Sequence, residues 1–226
     1  MSRLTEALSP PRLATYLHWS GGDGEVALRL YTFNVNLSAA LYGPLHMFEV
    51  ALRNAADLAL TRKFGSAWPD NSALALTQYQ ARCINEARQN LSREQKTGTH
   101  TQLIAELNLG FWTSLFGRPS SPLWQWLRPV FQTRGLQRPA LASQLKHVRM
   151  LRNRVAHYEP ILALPLAQRY AEITTLTGWI SPDAAAWINR HSLWPRLHPA
   201  VPILMTDGGT KIIRVNPVVL AHLPPP

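Results

Sequence analysis

Apolar residues recur at helical spacing over long stretches of this 226-residue chain. With about 100° of rotation per residue, two stretches each place their apolar side chains on one arc. In the stretch 139–158 these side chains are Leu141, Leu145, Val148, Leu151 and Val155. In the stretch 44–64 they are Leu45, Phe48, Leu52, Ala56, Ala59 and Leu60. Such stripes are typical of helices that share one core, so the sequence predicts an all-α helical bundle.

Helix-breaking and capping residues predict where the helices begin and end. Pro44 divides the stretch from Glu25 to Phe64, which is therefore two helices meeting at residues 42–44 or one kinked helix. Asn71 is a candidate N-cap for a helix that runs to about residue 90. The pair Ser121-Pro122 is typical of the start of another helix, running to about residue 133.

The last part of the chain has a different pattern. The segment 201–218 contains VPILMT and TKIIRV on either side of a turn at Asp207-Gly208-Gly209, which is consistent with a small β-hairpin. We therefore divide the chain into an N-terminal segment at 1–24, a helical domain at 25–192 and a C-terminal extension at 193–226.

Arg152 lies near the middle of the apolar arc of the stretch 139–158. A guanidinium on a buried face is costly unless it is paired. Either Arg152 meets a carboxylate, or the stripe lines a cleft or an interface. Glu49, inside the apolar arc of 44–64, is the candidate carboxylate; the alternative is that Glu49 forms a surface pair with Arg53, four residues on.

Lys146, Arg149, Asn153 and His157 fall on one flank beside the apolar arc. Arg152 and His157 are five residues apart, so an ideal helix splays them. A last turn that tightens or unwinds near residue 156, or a second copy of the helix, would bring them together. The alternative is that Arg152 and His157 have only a structural role, because cations are often found at helix C-termini, where the helix dipole favours them.

The composition indicates an anionic partner. Twenty-three Lys and Arg against thirteen Asp and Glu give a formal net charge of +10. Strongly basic chains often bind nucleic acid. The stretch 128–154 is the most basic, and the residues predicted to contact RNA there are Lys146, His147, Arg149 and Arg154.

Other features exclude whole classes of protein. A single cysteine, Cys83, rules out a disulfide framework and a cysteine-rich zinc site. No apolar run approaches the length of a membrane span, and residues 1–19 show no continuous apolar signal region, so we expect a cytoplasmic protein with no membrane partner. No sequence pattern of metal ligands is present, and we expect neither a metal nor a cofactor.

Three segments, at 37–54, 106–116 and 151–161, together resemble the Abi-like (AbiD/AbiF-type) proteins of bacterial abortive infection, which belong to the HEPN superfamily. The most specific is LRNRVAHYEPI at 151–161, in which Asn153 follows Arg152 and four residues separate Arg152 from His157. A weaker match covers tryptophan and proline positions at 179–192. The resemblance therefore spans about residues 30–192.

The resemblance implies a HEPN-type helical bundle that acts as a metal-independent endoribonuclease toxin in phage defence. It implies that Arg152 and His157 meet at a homodimer interface, with Asn153 as the polar residue after the arginine. Tyr158 stands where many relatives have a second histidine. A toxin of this type needs restraint, which implies an antitoxin, either a protein or a small noncoding RNA.

The residue types suit RNA cleavage by the 2′-hydroxyl. An imidazole exchanges protons near neutral pH, and a guanidinium stabilises charge on a phosphate. Two other functions remain open: a non-catalytic RNA-binding module that grips phosphate through the same residues, and a helical dimer in which the Arg152–Glu49 pair holds the interface.

Overall fold

The computed structural model describes residues 7–198, 205–207 and 211–213. The described chain is predominantly helical, as the sequence predicts. Its α-helices are α1 (Pro10–Trp19), α2 (Gly24–Phe64), α3 (Gln78–Arg93), α4 (His100–Glu106), α5 (Leu109–Ser114), α6 (Trp124–Leu127), α7 (Arg138–Ala156), α8 (Leu166–Ile180), α9 (Pro182–His191) and α10 (Trp194–Leu197).

Shorter elements connect the α-helices. The 3₁₀ turns are Trp68–Asp70, Ser72–Leu74, Arg118–Leu123 and Arg128–Val130. Two short antiparallel strands, β1 (Met205–Asp207) and β2 (Lys211–Ile213), lie inside the segment where the sequence predicts a hairpin, and the Cα of Thr206 is opposite that of Ile212.

Proline and capping residues set several helix limits differently from the sequence prediction. Of the two alternatives for the stretch from Glu25 to Phe64, the structure has the single helix, α2, which contains Pro44. Asn71 caps only the 3₁₀ turn that follows it, and α3 begins later, where Thr77 and Gln80 form a reciprocal capping box. The single helix predicted over 121–133 is wrong, because the stretch forms successive short helical turns and ends at residue 130, with Pro129 removing a helical hydrogen bond. In residues 7–198, 205–207 and 211–213, no helix is long and apolar enough to cross a membrane.

The chain forms two compact units, each assembled from separate segments. The first unit comprises Met1–Gly43, Leu151–Tyr170 and His191–Pro226, as far as these residues are described. The second unit comprises Pro44–Met150 and Ala171–Arg190. α2 and α7 therefore contribute residues to both units.

Each unit has its own aromatic and aliphatic core. In the first unit, Tyr16 is fully buried and makes edge-on contacts with Trp19 and Tyr31. In the second unit, Trp68 stacks on Phe111 with ring centres 6.2 Å apart. The predicted stripe of α7 is confirmed, since all of its members are buried: Leu141, Leu145, Val148, Leu151 and Val155.

Candidate functional site

The C-terminus of α7 carries His157 at the capping position. The amide of His157 still donates to the carbonyl of Asn153 at 2.9 Å, so the last turn is α-helical and not unwound. Beyond it, the amide of Tyr158 donates to the Val155 carbonyl and the amide of Glu159 to the Arg154 carbonyl, at 3.3 and 2.8 Å. These two bonds form a Schellman motif, which fixes the backbone at His157.

Tyr158 occupies the left-handed position of this motif, with φ at 58°. Glycine is the usual residue there, because a Cβ in this conformation costs about 1–2 kcal/mol. The side chain of Tyr158 is 74% exposed, so burial in the core does not compensate that cost. Backbone strain of this kind clusters at functional sites, although it also occurs at the exposed Gln95, where φ is 55°.

Asn34, on α2, anchors the segment that follows His157. Its side chain is buried, and its Oδ1 accepts a hydrogen bond from the amide of Ile161 at 2.7 Å. Its Nδ2 donates to the carbonyl of Glu159 at 3.3 Å. One buried amide therefore satisfies two backbone groups of the segment 157–161, which it holds against α2.

Two arginines add further restraints to the segment 157–161. Arg12, on α1, donates from Nη1 to the carbonyl of Tyr158 at 2.7 Å. Arg154 donates from Nη1 to the carbonyl of Pro160 at 3.1 Å, and its Nε lies 3.8 Å from a carboxylate oxygen of Glu159. His157 is therefore an exposed imidazole on a backbone held from three helices of the first unit.

A cleft of about 410 Å³ opens beside this segment within the first unit. We call it the aromatic cleft, and it is lined chiefly by Tyr31, Val35, Ser38, Tyr42, Val155 and Tyr158. Its volume is in the range of small-molecule sites, roughly 300–1,000 Å³. Tyr42 and Tyr158 are the most exposed of its aromatic residues, at 67% and 74%.

Tyr16 supports one wall of the aromatic cleft through its edge-on contact with Tyr31. Burial raises the pKa of Tyr16 far above its ordinary value, and the nearby phenol of Tyr31 acts in the same direction, while Arg12 opposes them. The phenol of Tyr16 therefore stays neutral at any physiological pH.

The structure places the three predicted catalytic residues in the first unit, on the last turns of α7. Arg152 is half-buried, and Asn153 and His157 are exposed. Five residues of regular helix put the side-chain directions of Arg152 and His157 about 140° apart. The last turn does not unwind, and it tightens only beyond His157, where the amide of Tyr158 donates to the carbonyl of Val155. The union of Arg152 and His157 by a second copy of the helix stays a prediction.

The other predicted site residues belong to the second unit, apart from Arg154. Lys146 is exposed and Arg149 half-buried. His147 is half-buried, with its Nδ1 3.8 Å from a carboxylate oxygen of Glu172. The use of these residues in RNA binding stays a prediction.

The predicted pairings of Glu49 also stay predictions. Glu49 and Arg53 are half-buried on α2, and Arg53 donates from Nη1 to the carbonyl of Ala105 at 3.4 Å. Glu49 lies in the second unit and Arg152 in the first.

A histidine–carboxylate pair in the second unit was not apparent from the sequence. Asp57 Oδ1 lies 2.9 Å from Nε2 of His100 and accepts a hydrogen bond from the indole of buried Trp68 at 2.8 Å. Because one carboxylate oxygen serves both rings, we interpret the pair as a clamp that holds the start of α4 to α2. Within the described ranges, no group of three or more His, Cys, Asp and Glu is arranged to hold a metal ion.

Sequence reasoning also missed Arg12 and Asn34, which anchor the segment 157–161. The role of Asn34 could have been suspected from the sequence, because an asparagine next to Phe33, in the buried stripe of α2, requires hydrogen-bond partners. The role of Arg12 could not, since its partner is a backbone carbonyl 146 positions away.

The chain was also compared with known proteins. No protein-family model, no curated protein and no solved structure matches it.

Proposed function

We propose that this chain is a metal-independent endoribonuclease toxin of the abortive-infection or toxin–antitoxin type, with a HEPN-type bundle, that acts as a homodimer in the cytoplasm. The observation that carries the proposal is the end of α7. There an exposed imidazole, His157, stands on a backbone fixed by a Schellman motif and by hydrogen bonds from Arg12 and Asn34. A fixed but accessible imidazole meets the first requirement of general acid–base catalysis.

The reaction assigns one role to each residue. One imidazole takes the proton of the 2′-hydroxyl, whose oxygen attacks the adjacent phosphorus while the bond to the 5′-oxygen breaks. A second imidazole protonates that 5′-oxygen. Arg152 stabilises the charge that develops on the phosphate, and Asn153 orients the phosphate or the imidazole. The products are a 2′,3′-cyclic phosphate and a 5′-hydroxyl.

Helical geometry supports a shared site. Within one copy, Arg152 and His157 are about 140° apart around α7. A second copy would supply the arginine to the first copy's histidine, and would also supply the second imidazole. The homodimer, the RNA substrate and an antitoxin, either protein or small noncoding RNA, belong to this proposal.

His157→Ala tests the proposal directly. Induced wild-type protein is expected to arrest growth and fragment cellular RNA, whereas His157→Ala does neither, because the proton-transferring group is gone. His46→Ala removes another exposed histidine and serves as the matched control, with full activity expected. Purified wild-type protein is expected to keep cleaving RNA in the presence of EDTA.

Two outcomes would count against the nuclease. Growth arrest by both the wild type and His157→Ala, with intact RNA, would favour the non-catalytic RNA-binding module. Loss of cleavage in EDTA, with recovery on adding a divalent ion, would contradict the metal-free mechanism.

A further inference from the structure

We infer that the aromatic cleft is a binding site for an unpaired nucleobase of single-stranded RNA, with Tyr158 as the stacking residue. The inference deepens the proposed ribonuclease and rests on it for the nature of the ligand. The first observation is position, since Tyr158 lines the cleft and directly follows the candidate catalytic His157. A base held there would belong to a nucleotide next to the reacting phosphate.

The second observation is the strain at Tyr158. A tyrosine holds a φ of 58° while its side chain stays 74% exposed, so burial of the ring does little to offset the cost of this backbone conformation. Glycine or asparagine would cap α7 at lower cost. A function that needs the ring in this position accounts for its presence, and an exposed ring beside a concave apolar surface is suited to stacking.

The third observation is the chemistry of the lining. None of the described residues that line the cleft is charged, so the cleft suits an uncharged, flat group and not a phosphate. The hydroxyl of Ser38 is shielded from solvent, so the surface that a ligand meets in the cleft is formed chiefly by the tyrosine rings and by Val35 and Val155.

The test compares two glycine substitutions in full-length His157→Ala protein, which leaves the RNA probe uncut. Tyr158→Gly is expected to weaken binding of a fluorescent 12-nucleotide adenosine RNA roughly 5- to 150-fold, the value of one stacked base. Gln95→Gly is the matched control, because Gln95 occupies the same left-handed position at the end of α3, in the second unit, with φ at 55°. It is expected to leave RNA affinity unchanged, as is Tyr158→Phe, which keeps the ring.

A second probe separates base binding from phosphate binding. A 12-mer of abasic ribose phosphate is expected to bind the His157→Ala protein and its Tyr158→Gly derivative equally, since it has no base to stack.

Three results would overturn the inference. The first is that Tyr158→Gly binds the adenosine RNA as tightly as the His157→Ala protein does. The second is that the abasic oligomer and the adenosine RNA bind the His157→Ala protein equally tightly. The third is that light scattering shows a dimer for the His157→Ala protein and a monomer for Tyr158→Gly, which would mean that a second copy covers the cleft.

The outcomes for the cleft and for the nuclease are distinguishable. If wild-type protein cuts no RNA but Tyr158→Gly weakens binding selectively, the base site stands and the nuclease falls. If wild-type protein cuts RNA but Tyr158→Gly binds normally, the nuclease stands and the base site falls.

Discussion

Two helices of this chain, α3 and α7, end in the same hydrogen-bond motif with a residue other than glycine in the left-handed position. At the end of α3, Lys96 donates to the carbonyl of Leu91 at 2.9 Å, and Gln95 has φ at 55°. At the end of α7, Glu159 donates to the carbonyl of Arg154 at 2.8 Å, and Tyr158 has φ at 58°. The end of α1 shows the ordinary solution, with Gly21 in this position.

The surroundings of the two ends differ. Next to Gln95, the contact of Lys96 is local, an ion pair with Glu94 at 2.5 Å. The turn at Tyr158 receives hydrogen bonds from Asn34 and Arg12, which lie more than a hundred positions away in the sequence. Long-range hydrogen bonds therefore fix the turn at Tyr158, which lies beside the candidate catalytic histidine. A preorganised site requires such restraint of its backbone.

Removing Asn34 should have the largest effect on this difference. Asn34→Ala leaves the buried amide of Ile161 without its acceptor and the carbonyl of Glu159 without a donor, so we expect a loss of about 2–4 kcal/mol in the free energy of unfolding. Urea denaturation measures it. RNA cleavage at temperatures where the variant is folded should also fall, since the segment 157–161 is no longer held.

Asn90→Ala is the matched control for the end of α3. Asn90 donates to a carboxylate oxygen of Glu106 at 3.1 Å in a partly buried setting, and its loss should cost no more than about 1 kcal/mol. If the two variants lost equal stability, the end of α7 would be no more firmly anchored than that of α3.

The helical fold could be predicted because it follows from local periodicity. The stripe from Leu141 to Val155 depends only on spacing, and its members are buried as predicted. The stretch 121–133 could not be predicted well, because the favourable start at Ser121-Pro122 is followed within the stretch by Pro129, which removes a helical hydrogen bond.

Part of the candidate site could also be predicted from the sequence, and part of it could not. His157 could be placed near a helix end from the sequence, because the helical pattern of the stretch 139–158 ends there and Pro160 follows in the sequence. The aromatic cleft could not be foreseen, because it joins Tyr31 and Tyr42 of α2 to Tyr158, and nothing in local spacing relates them. The left-handed φ of Tyr158 could not be predicted from the sequence, because the usual signal for that position is a glycine.

Stability gives a second, smaller test of the two ends. Gln95→Gly relieves the left-handed strain at an exposed side chain and should raise the free energy of unfolding by roughly 0.5–1 kcal/mol. Tyr158→Gly should raise it too, or leave it unchanged, because the lost ring is mostly exposed. Urea denaturation of both variants measures this. A fall of more than about 1 kcal/mol in Tyr158→Gly alone would show that the ring is structural.

Of these substitutions, Arg12→Ala should have the smallest effect on the free energy of unfolding. Its effect should be confined to the turn at Tyr158. The hydrogen bond from Arg12 to the carbonyl of Tyr158 is short, at 2.7 Å, but exposed, so its loss should cost no more than about 1 kcal/mol of unfolding free energy. The turn would keep its two helical bonds, and Asn34 would still hold Glu159 and Ile161.

Amide hydrogen exchange resolves such a local change, because it reports openings of a few residues separately from global unfolding. In Arg12→Ala, the amides of Tyr158 and Glu159 should exchange faster, while the amide of Lys96 keeps its wild-type rate. Arg12→Gln keeps an N–H donor but removes the charge, so slower exchange in Arg12→Gln than in Arg12→Ala would assign the effect to the hydrogen bond and not to the charge. Equal rates at Tyr158 in wild type and Arg12→Ala would show that the hydrogen bond from Arg12 does not restrain the end of α7.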